Sequence, residues 1–366
     1  MIIDSQITVI CVCVCMLMYK HAILREQLED LIQTTDSELN LYFTKHSSFL
    51  LRYVKLIGKM ASSKCNVETL IKHAASTIGE GPHWEEKAGK LLYVDILSND
   101  VYRYDVETGD NEKMHLDGST SIIVPAEDGG YIASSLRKLC HLDWETKTVT
   151  DILEVPSIGS NDRFNDGKCD SNGRLWAGTM GYESEPAVNE LEKGCLYKLD
   201  KDKEIHTMVE GVSISNGLAW TADNTVMYYI DSIPRHVYAY DFDQASGSIS
   251  NKRIAVDFNK WSIDDTGLPD GMTIDIEGKL WVAGYMSSKV LQFDPVTGAK
   301  IREVTVPGKK TTSCCFGGRD YTEMFVTSAR VGWTEEEFQQ LDPLAGSVFK
   351  VTGLGVKGLP APNYQC

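Results

Sequence analysis

Asn172-Gly173-Arg174-Leu175-Trp176-Ala177 and Glu277-Gly278-Lys279-Leu280-Trp281-Val282 are one phrase written twice. A residue able to adopt positive φ is followed by aliphatic and aromatic residues suited to a pleated, half-buried strand. Outward from these two, the phrase returns as Ala88-Gly89-Lys90-Leu91-Leu92-Tyr93-Val94, as Asp128-Gly129-Gly130-Tyr131-Ile132-Ala133 and as Asp223-Asn224-Thr225-Val226-Met227-Tyr228. Its weakest copy is Tyr321-Thr322-Glu323-Met324-Phe325-Val326. Each copy is followed by a short alternating strand ending in an acidic or Thr-Gly turn. Examples are Val101-Tyr102-Arg103-Tyr104-Asp105, Leu196-Tyr197-Lys198-Leu199-Asp200 and Val237-Tyr238-Ala239-Tyr240-Asp241, with the others beginning at Leu139, Val290 and Val348. Paired units recurring six times, about 40 to 55 residues apart, predict one blade per repeat and so an all-β fold, a six-bladed β-propeller. A β-sandwich or two β domains would give no reason for both units to recur in phase.

No Pro- or Ser-rich linker divides the repeats, so residues 61–366 are expected to form one propeller domain. Residues 1–60 are expected to form an N-terminal extension, helical or partly disordered in character, with helix-like periodicity from about Leu24 to Leu41. Ile7 to Tyr19 is apolar but too short to span a bilayer as a helix. The residues before it include Asp4 and no Lys or Arg, and no clear cleavage site follows, which is a poor signal peptide.

The chain has 366 residues, 42% hydrophobic and 24% charged, which is a globular composition. Its net charge of −16 repels phosphate backbones and anionic lipid, so no nucleic acid and no membrane partner is expected, whereas cations and neutral polar molecules suit the field. Beyond Cys11, Cys13 and Cys15 in the apolar run there are seven cysteines, an odd number without a C-x-x-C pair. That pattern fits reduced thiols and a cytoplasmic location; the alternative is secretion or membrane association through the N-terminal apolar segment.

The inner strand of each blade should line the central channel. About eight residues before each turn stand Glu80-Gly81, Ser121, Asn165-Asp166-Gly167, Asn216-Gly217, Asp270-Gly271 and Thr312-Ser313. Taken singly, an Asn-Gly or Asp-Gly pair is more often a hairpin turn than a ligand. Sharing one phase, these residues should face one another across the channel mouth. Facing carboxylates repel and hold their protons unless a cation lies between them. Glu80, Asn216 and Asp270 offer only oxygen, which suits one divalent metal ion, Ca²⁺ by ligand type, with Mg²⁺, Mn²⁺ or Zn²⁺ as alternatives. Three protein ligands leave positions for water and substrate. H-E-x-x-H, Walker A and G-x-S-x-G sequences are absent. His83 and His236 stand alone and read as packing or surface residues.

Gly79-Glu80-Gly81-Pro82, Arg163-Phe164-Asn165-Asp166-Gly167-Lys168, Ile214-Ser215-Asn216-Gly217-Leu218, Pro269-Asp270-Gly271-Met272 and Lys310-Thr311-Thr312-Ser313-Cys314-Cys315-Phe316-Gly317-Gly318 together resemble the regucalcin (senescence-marker protein) and gluconolactonase family. The tail Thr352-Gly353-Leu354-Gly355-Val356-Lys357-Gly358 resembles the regucalcin branch. The resemblance covers about residues 78 to 359 and leaves the N-terminus without a counterpart. It implies a six-bladed propeller, a divalent metal and hydrolysis of a small-molecule sugar lactone. Carried over by motif, the metal ligands are Glu80, Asn216 and Asp270, and the substrate-binding residues are Arg163, Asn165 and Glu183. Tyr182 stands where that family often has an acid. The chemistry expected is polarisation of the lactone carbonyl by the metal, with Asp270 as the catalytic base that activates water. The alternatives are a calcium-binding regulatory role of the regucalcin type, and an esterase or luciferin-regenerating hydrolase on the same scaffold.

Overall fold

The computed structural model describes residues 65–156, 162–185 and 188–365. The helix expected between Leu24 and Leu41 lies outside them. The described strands build six four-stranded antiparallel sheets and one small two-stranded hairpin. Blade I is β2 (Gly79–Glu85), β3 (Lys90–Asp95), β4 (Asp100–Asp105) and β5 (Asn111–His115). Blade II runs from β6 (Ile123–Pro125) through β7 (Tyr131–Ser135) and β8 (Lys138–Asp143) to β9 (Thr148–Glu154). Blade III is β10 (Arg163–Cys169), β11 (Leu175–Met180), β14 (Gly194–Leu199) and β15 (Ile205–Val212), with β12 (Glu183–Glu185) and β13 (Val188–Asn189) inserted after β11. Blades IV and V are β16–β19 (Ser215–Asp257) and β20–β23 (Leu268–Thr305).

Blade VI joins the two ends of the propeller. Its strands β24 (Thr311–Gly317), β25 (Glu323–Ser328) and β26 (Val348–Thr352) are completed by β1 (Asn66–Ile71), which pairs antiparallel with β26 in register Asn66↔Thr352. The outer strand of the last blade therefore comes from residues that precede the first sequence repeat. This pairing gives the last blade its fourth strand and ties the start of the propeller to its end.

The repeated phrases are the second strand of each blade and the short units the third. The turns before the second strands hold the positive φ that the sequence required, 75° at Gly173 and 74° at Gly278. An aspartate fastens each of these two turns. Asp170 accepts from the backbone of Asn172 and from Trp176 Nε1, and Asp275 accepts from the backbone of Glu277 and from Trp281 Nε1. Trp176 and Trp281 then pack edge-on against aromatic rings of the next blade, Trp220 at 6.0 Å and Phe316 at 6.0 Å between ring centroids. The core consists of such layers between neighbouring blades. Among the described residues, no helix is long and apolar enough to cross a membrane, and the six described cysteines, Cys65 to Cys315, are free thiols.

Candidate active site

Five of the six inner strands break register where the polar residues stand. The shifts fall between Glu80 and His83, Phe164 and Asp166, Asn216 and Leu218, Pro269 and Met272, and Thr311 and Cys314. Such bulges bend a strand and re-aim a side chain. The Asn-Gly and Asp-Gly pairs are therefore strand bulges, not hairpin turns. The glycines are needed because inner strands approach closely around the axis. A Cβ on Gly217 would lie 2.5 Å from Met272 Cβ and 2.9 Å from the Asp270 carbonyl oxygen.

Two buried aspartates anchor the segments that lead into Glu80 and Asn216. Asp95, at the end of β3, accepts from the backbone N–H groups of Ser76 and Ile78, at 2.7 and 3.0 Å, just before Glu80. Asp231, at the end of β17 (Val226–Asp231), does the same for Ser213 and Ile214, just before Asn216. The repeat copies read from the sequence stop short of both, at Val94 and Tyr228, so the aspartates lie just beyond them.

Glu80, Arg163, Asn165, Glu183, Asn216 and Asp270 all line one cavity of about 440 Å³ at one mouth of the channel. The sequence-predicted residues are thus brought together from blades I, III, IV and V. Of the hydroxyl residues at the same phase, Thr312 lines this cavity as well and Ser121 does not. Ser121 pairs with Ser134, and Thr312 donates to the Gly79 carbonyl. Asn165 is held twice, accepting from Arg163 Nη1 at 2.7 Å and donating to the Ser215 carbonyl at 2.9 Å. Glu183, on β12, faces Arg163 Nη2 at 3.6 Å. Asn216 donates to Ser232 Oγ at 2.9 Å, which in turn donates to the Pro269 carbonyl, so the residue before Asp270 is tied to the Asn216 side chain.

The electrostatics are those of crowded acids. Burial, with Asp166 nearby, pushes Glu80 up to about 8. Burial, then Glu80 and Asp166, raise Asp270 well above the usual carboxylate range. Asp166 itself is pushed up to about 6, chiefly by burial. It lies below the main cavity, in a smaller space shared with His83, Lys168 and Ser313. The Asn165-Asp166-Gly167 triplet marked its phase, but which of the two side chains enters the main cavity depends on the bulge between Phe164 and Asp166. Tyr285, at the end of β21 (Leu280–Tyr285), also lines the main cavity, with its phenol raised by burial and by Asp270 and Glu183. No repeat signal in the sequence pointed to it.

Three buried carboxylates converging without compensation are unfavourable, and a cation between them removes the conflict. The buried Asn216 Oδ1 has no hydrogen-bond partner, and a buried acceptor without one is costly. An all-oxygen donor set with an unsatisfied acceptor fits a hard divalent cation. A second acidic group joins Asp200 and Glu204 of the β14–β15 turn to His206 on β15. Its Asp200 is already engaged by the backbone of Asp202 and Glu204 and by His206, and Glu204 and His206 are exposed.

At the opposite end of the channel, the C-terminal segment crosses beneath the inner strands. Tyr364 bonds to Pro125 and Gln365 to Gly173 through their backbones. His83 is buried there and pushed down to about 3, chiefly by burial, with no partner at Nε2. His236 pairs with Asp257 on the flank of blade IV, away from the cavity.

Comparison with known proteins gives a consistent result. Bovine (Bos taurus) regucalcin is 44% identical over 286 residues, covering 78% of this chain and 94% of its own. The solved structure of a luciferin-regenerating enzyme superposes with a TM-score of 0.76 at 34% identity, covering 82% of this chain and all of that one. A calcium-binding protein, regucalcin, from Agrobacterium tumefaciens superposes with a TM-score of 0.75 at 26% identity, covering 81% and 97%. The family description SMP-30/Gluconolactonase/LRE-like region matches residues 78–330. With the propeller, the shared phase of its polar residues and these relatives in agreement, the chain belongs to the SMP-30/gluconolactonase/LRE-like family.

Proposed function

We propose that this chain is a divalent-metal-dependent lactonase of the gluconolactonase type, acting on small sugar lactones. The observation that carries the reading is the buried, unpartnered Asn216 Oδ1 in the same cavity as the carboxylates of Glu80 and Asp270. Glu80, Asn216 and Asp270 would hold the cation. The Agrobacterium relative is described as calcium-binding, which supports Ca²⁺ as the ion. When bound, the cation supplies Lewis-acid polarisation of the lactone carbonyl and balances the acids around it.

The remaining chemistry belongs to the side chains. Asp270, ionised beside the cation, accepts a proton from the attacking water, whose oxygen adds to the carbonyl carbon. The ring C–O bond then breaks, the proton passes to the leaving alkoxide, and a hydroxycarboxylic acid results. Arg163 and Glu183 line the same cavity and offer donors and an acceptor to ring hydroxyls, while Asn165 is oriented by Arg163 and Ser215. Burial of the carboxylates keeps the reacting atoms out of bulk water, where hydrogen bonds to charge are weaker.

The test is a lactone panel on the full chain, calcium-loaded and chelated, with Asp270→Ala beside the wild type. Turnover should depend on metal and vanish in Asp270→Ala, which loses both a ligand and the base. Near-normal turnover in that variant would sink the mechanism. Calcium binding by a protein that hydrolyses nothing in the panel would favour the regulatory alternative.

A further inference from the structure

The polar floor of the cavity is matched by an apolar rim. Leu97, Leu136 and Tyr182 all line the cavity, and they are 43%, 48% and 42% exposed. They occupy the same place in three consecutive blades, following the second strand of blades I, II and III. Single exposed apolar residues need no explanation, but a group at the mouth of a binding cavity does.

Leu136 makes the point most strongly. Its φ is 55°, a left-handed conformation that is unfavourable for a bulky side chain. Left-handed residues also stand in the equivalent connections of blades I, IV and V, at Asn99, Arg235, Met286 and Ser288; Met286 is the apolar one of these, and unlike Leu136 it does not line the cavity. The backbone of Leu136 is fixed on both sides, donating to the Ser119 carbonyl and accepting from the Phe164 N–H. Its side chain lies over Gly118, where a Cβ would approach Leu136 Cγ to 2.6 Å. A strained, half-exposed leucine held by its surroundings is the kind of feature that persists at ligand-binding positions.

We propose that the substrate is a lactone bearing an apolar substituent, which Leu97, Leu136 and Tyr182 receive while Arg163, Glu183 and the carboxylates take the polar ring. A fully hydroxylated sugar lactone has no apolar part to set against this rim. The proposal rests on the lactonase reading and moves its preferred substrate from bare sugar lactones to lactones that carry an apolar group.

The test uses the calcium-loaded full chain with three probes: gluconolactone, γ-butyrolactone, and the same five-membered ring carrying a hexyl chain. A buried methylene contributes up to about fourfold in affinity. The kcat/KM of the hexyl lactone should exceed that of γ-butyrolactone at least tenfold. In Leu136→Asn, Leu97→Ser and Tyr182→Ser that ratio should fall severalfold. Leu136→Asn should melt no lower than the wild type, because Asn tolerates the left-handed conformation, so its loss of preference would not reflect unfolding. A wild-type ratio near one, or a ratio that none of the three substitutions lowers, overturns the proposal. If no lactone is turned over, the lactonase reading fails, and calorimetry with the two open-chain hydroxy acids decides the rim. Tenfold tighter binding of the hexyl-bearing acid sustains the proposal, and equal binding overturns it.

Discussion

The guanidinium of Arg163 donates to Asn165 Oδ1 at 2.7 Å, so one side chain sets the orientation of the other two residues away along β10. Its second terminal nitrogen faces Glu183, and the group is almost wholly buried. A planar fork can hold both neighbours at once, whereas a lysine ammonium on a flexible stem cannot. Arg163→Lys should therefore raise KM for hydroxylated lactones about tenfold while calcium affinity changes little. Steady-state kinetics on gluconolactone and on an unsubstituted aliphatic lactone check this. Equal losses on both substrates would reassign Arg163 to holding the scaffold alone.

Cation-free protein should lose stability as pH rises from about 5 to 8. Glu80 titrates near 4.5 when unfolded and near 8 in the fold. Between these values the folded state binds more protons than the unfolded one, so raising pH drains stability, the reverse of an ordinary salt-bridged carboxylate. Asp166 and Asp270 shift in the same direction. Saturating calcium should raise Tm at pH 8 and flatten this slope, because it binds the ionised acids. Calorimetric melts at several pH values, with chelator and with calcium, measure it; a chelated protein whose Tm rises from pH 5 to 8 would contradict the expectation.

Gly217→Ala should destabilise the fold by about 1–3 kcal/mol, as expected for overpacking a closed site. The added Cβ meets backbone as well as side chain, 2.8 Å from Met272 N and 2.9 Å from Asp270 O. Relief must move the strand that carries Asp270, so activity should fall along with stability. Urea melts and lactone turnover on the same preparation test both halves.

The strand β1 sets how far the N-terminus can be shortened. A chain starting at Met60 keeps Asn66–Ile71 and should retain full thermal stability and turnover, since all six four-stranded sheets are built from strands within residues 66–352. A chain starting at Ala74 loses the partner of β26 and the packing of Val67, Leu70 and Ile71 against the core of blade VI. Its Tm should fall by at least about 5 °C, because a loss of a few kcal/mol moves Tm by several degrees in a domain of this size. Failure of the Met60 chain to fold would place structural work in the first sixty residues.

What the sequence by itself determined is local. Period-two alternation and positive-φ turns are properties of a few adjacent residues, so Asn172-Gly173 and Glu277-Gly278 announced strands wherever they recurred, and six recurrences implied the propeller. Rotational repetition then made phase a guide to position, which is why Glu80, Asn216 and Asp270 could be picked out from chain segments up to 190 residues apart. Only the tertiary structure decided what depends on convergence. Residues 66–71 meet 348–352 across most of the chain, and no local pattern encodes that pairing. The bulge at Phe164/Asp166 turned Asn165 towards the cavity and Asp166 beneath it. The raised carboxylates, the solitary Asn216 Oδ1 and the strained Leu136 at the rim arise from desolvation and from neighbours distant in sequence, and those exist only once the blades have closed around their axis.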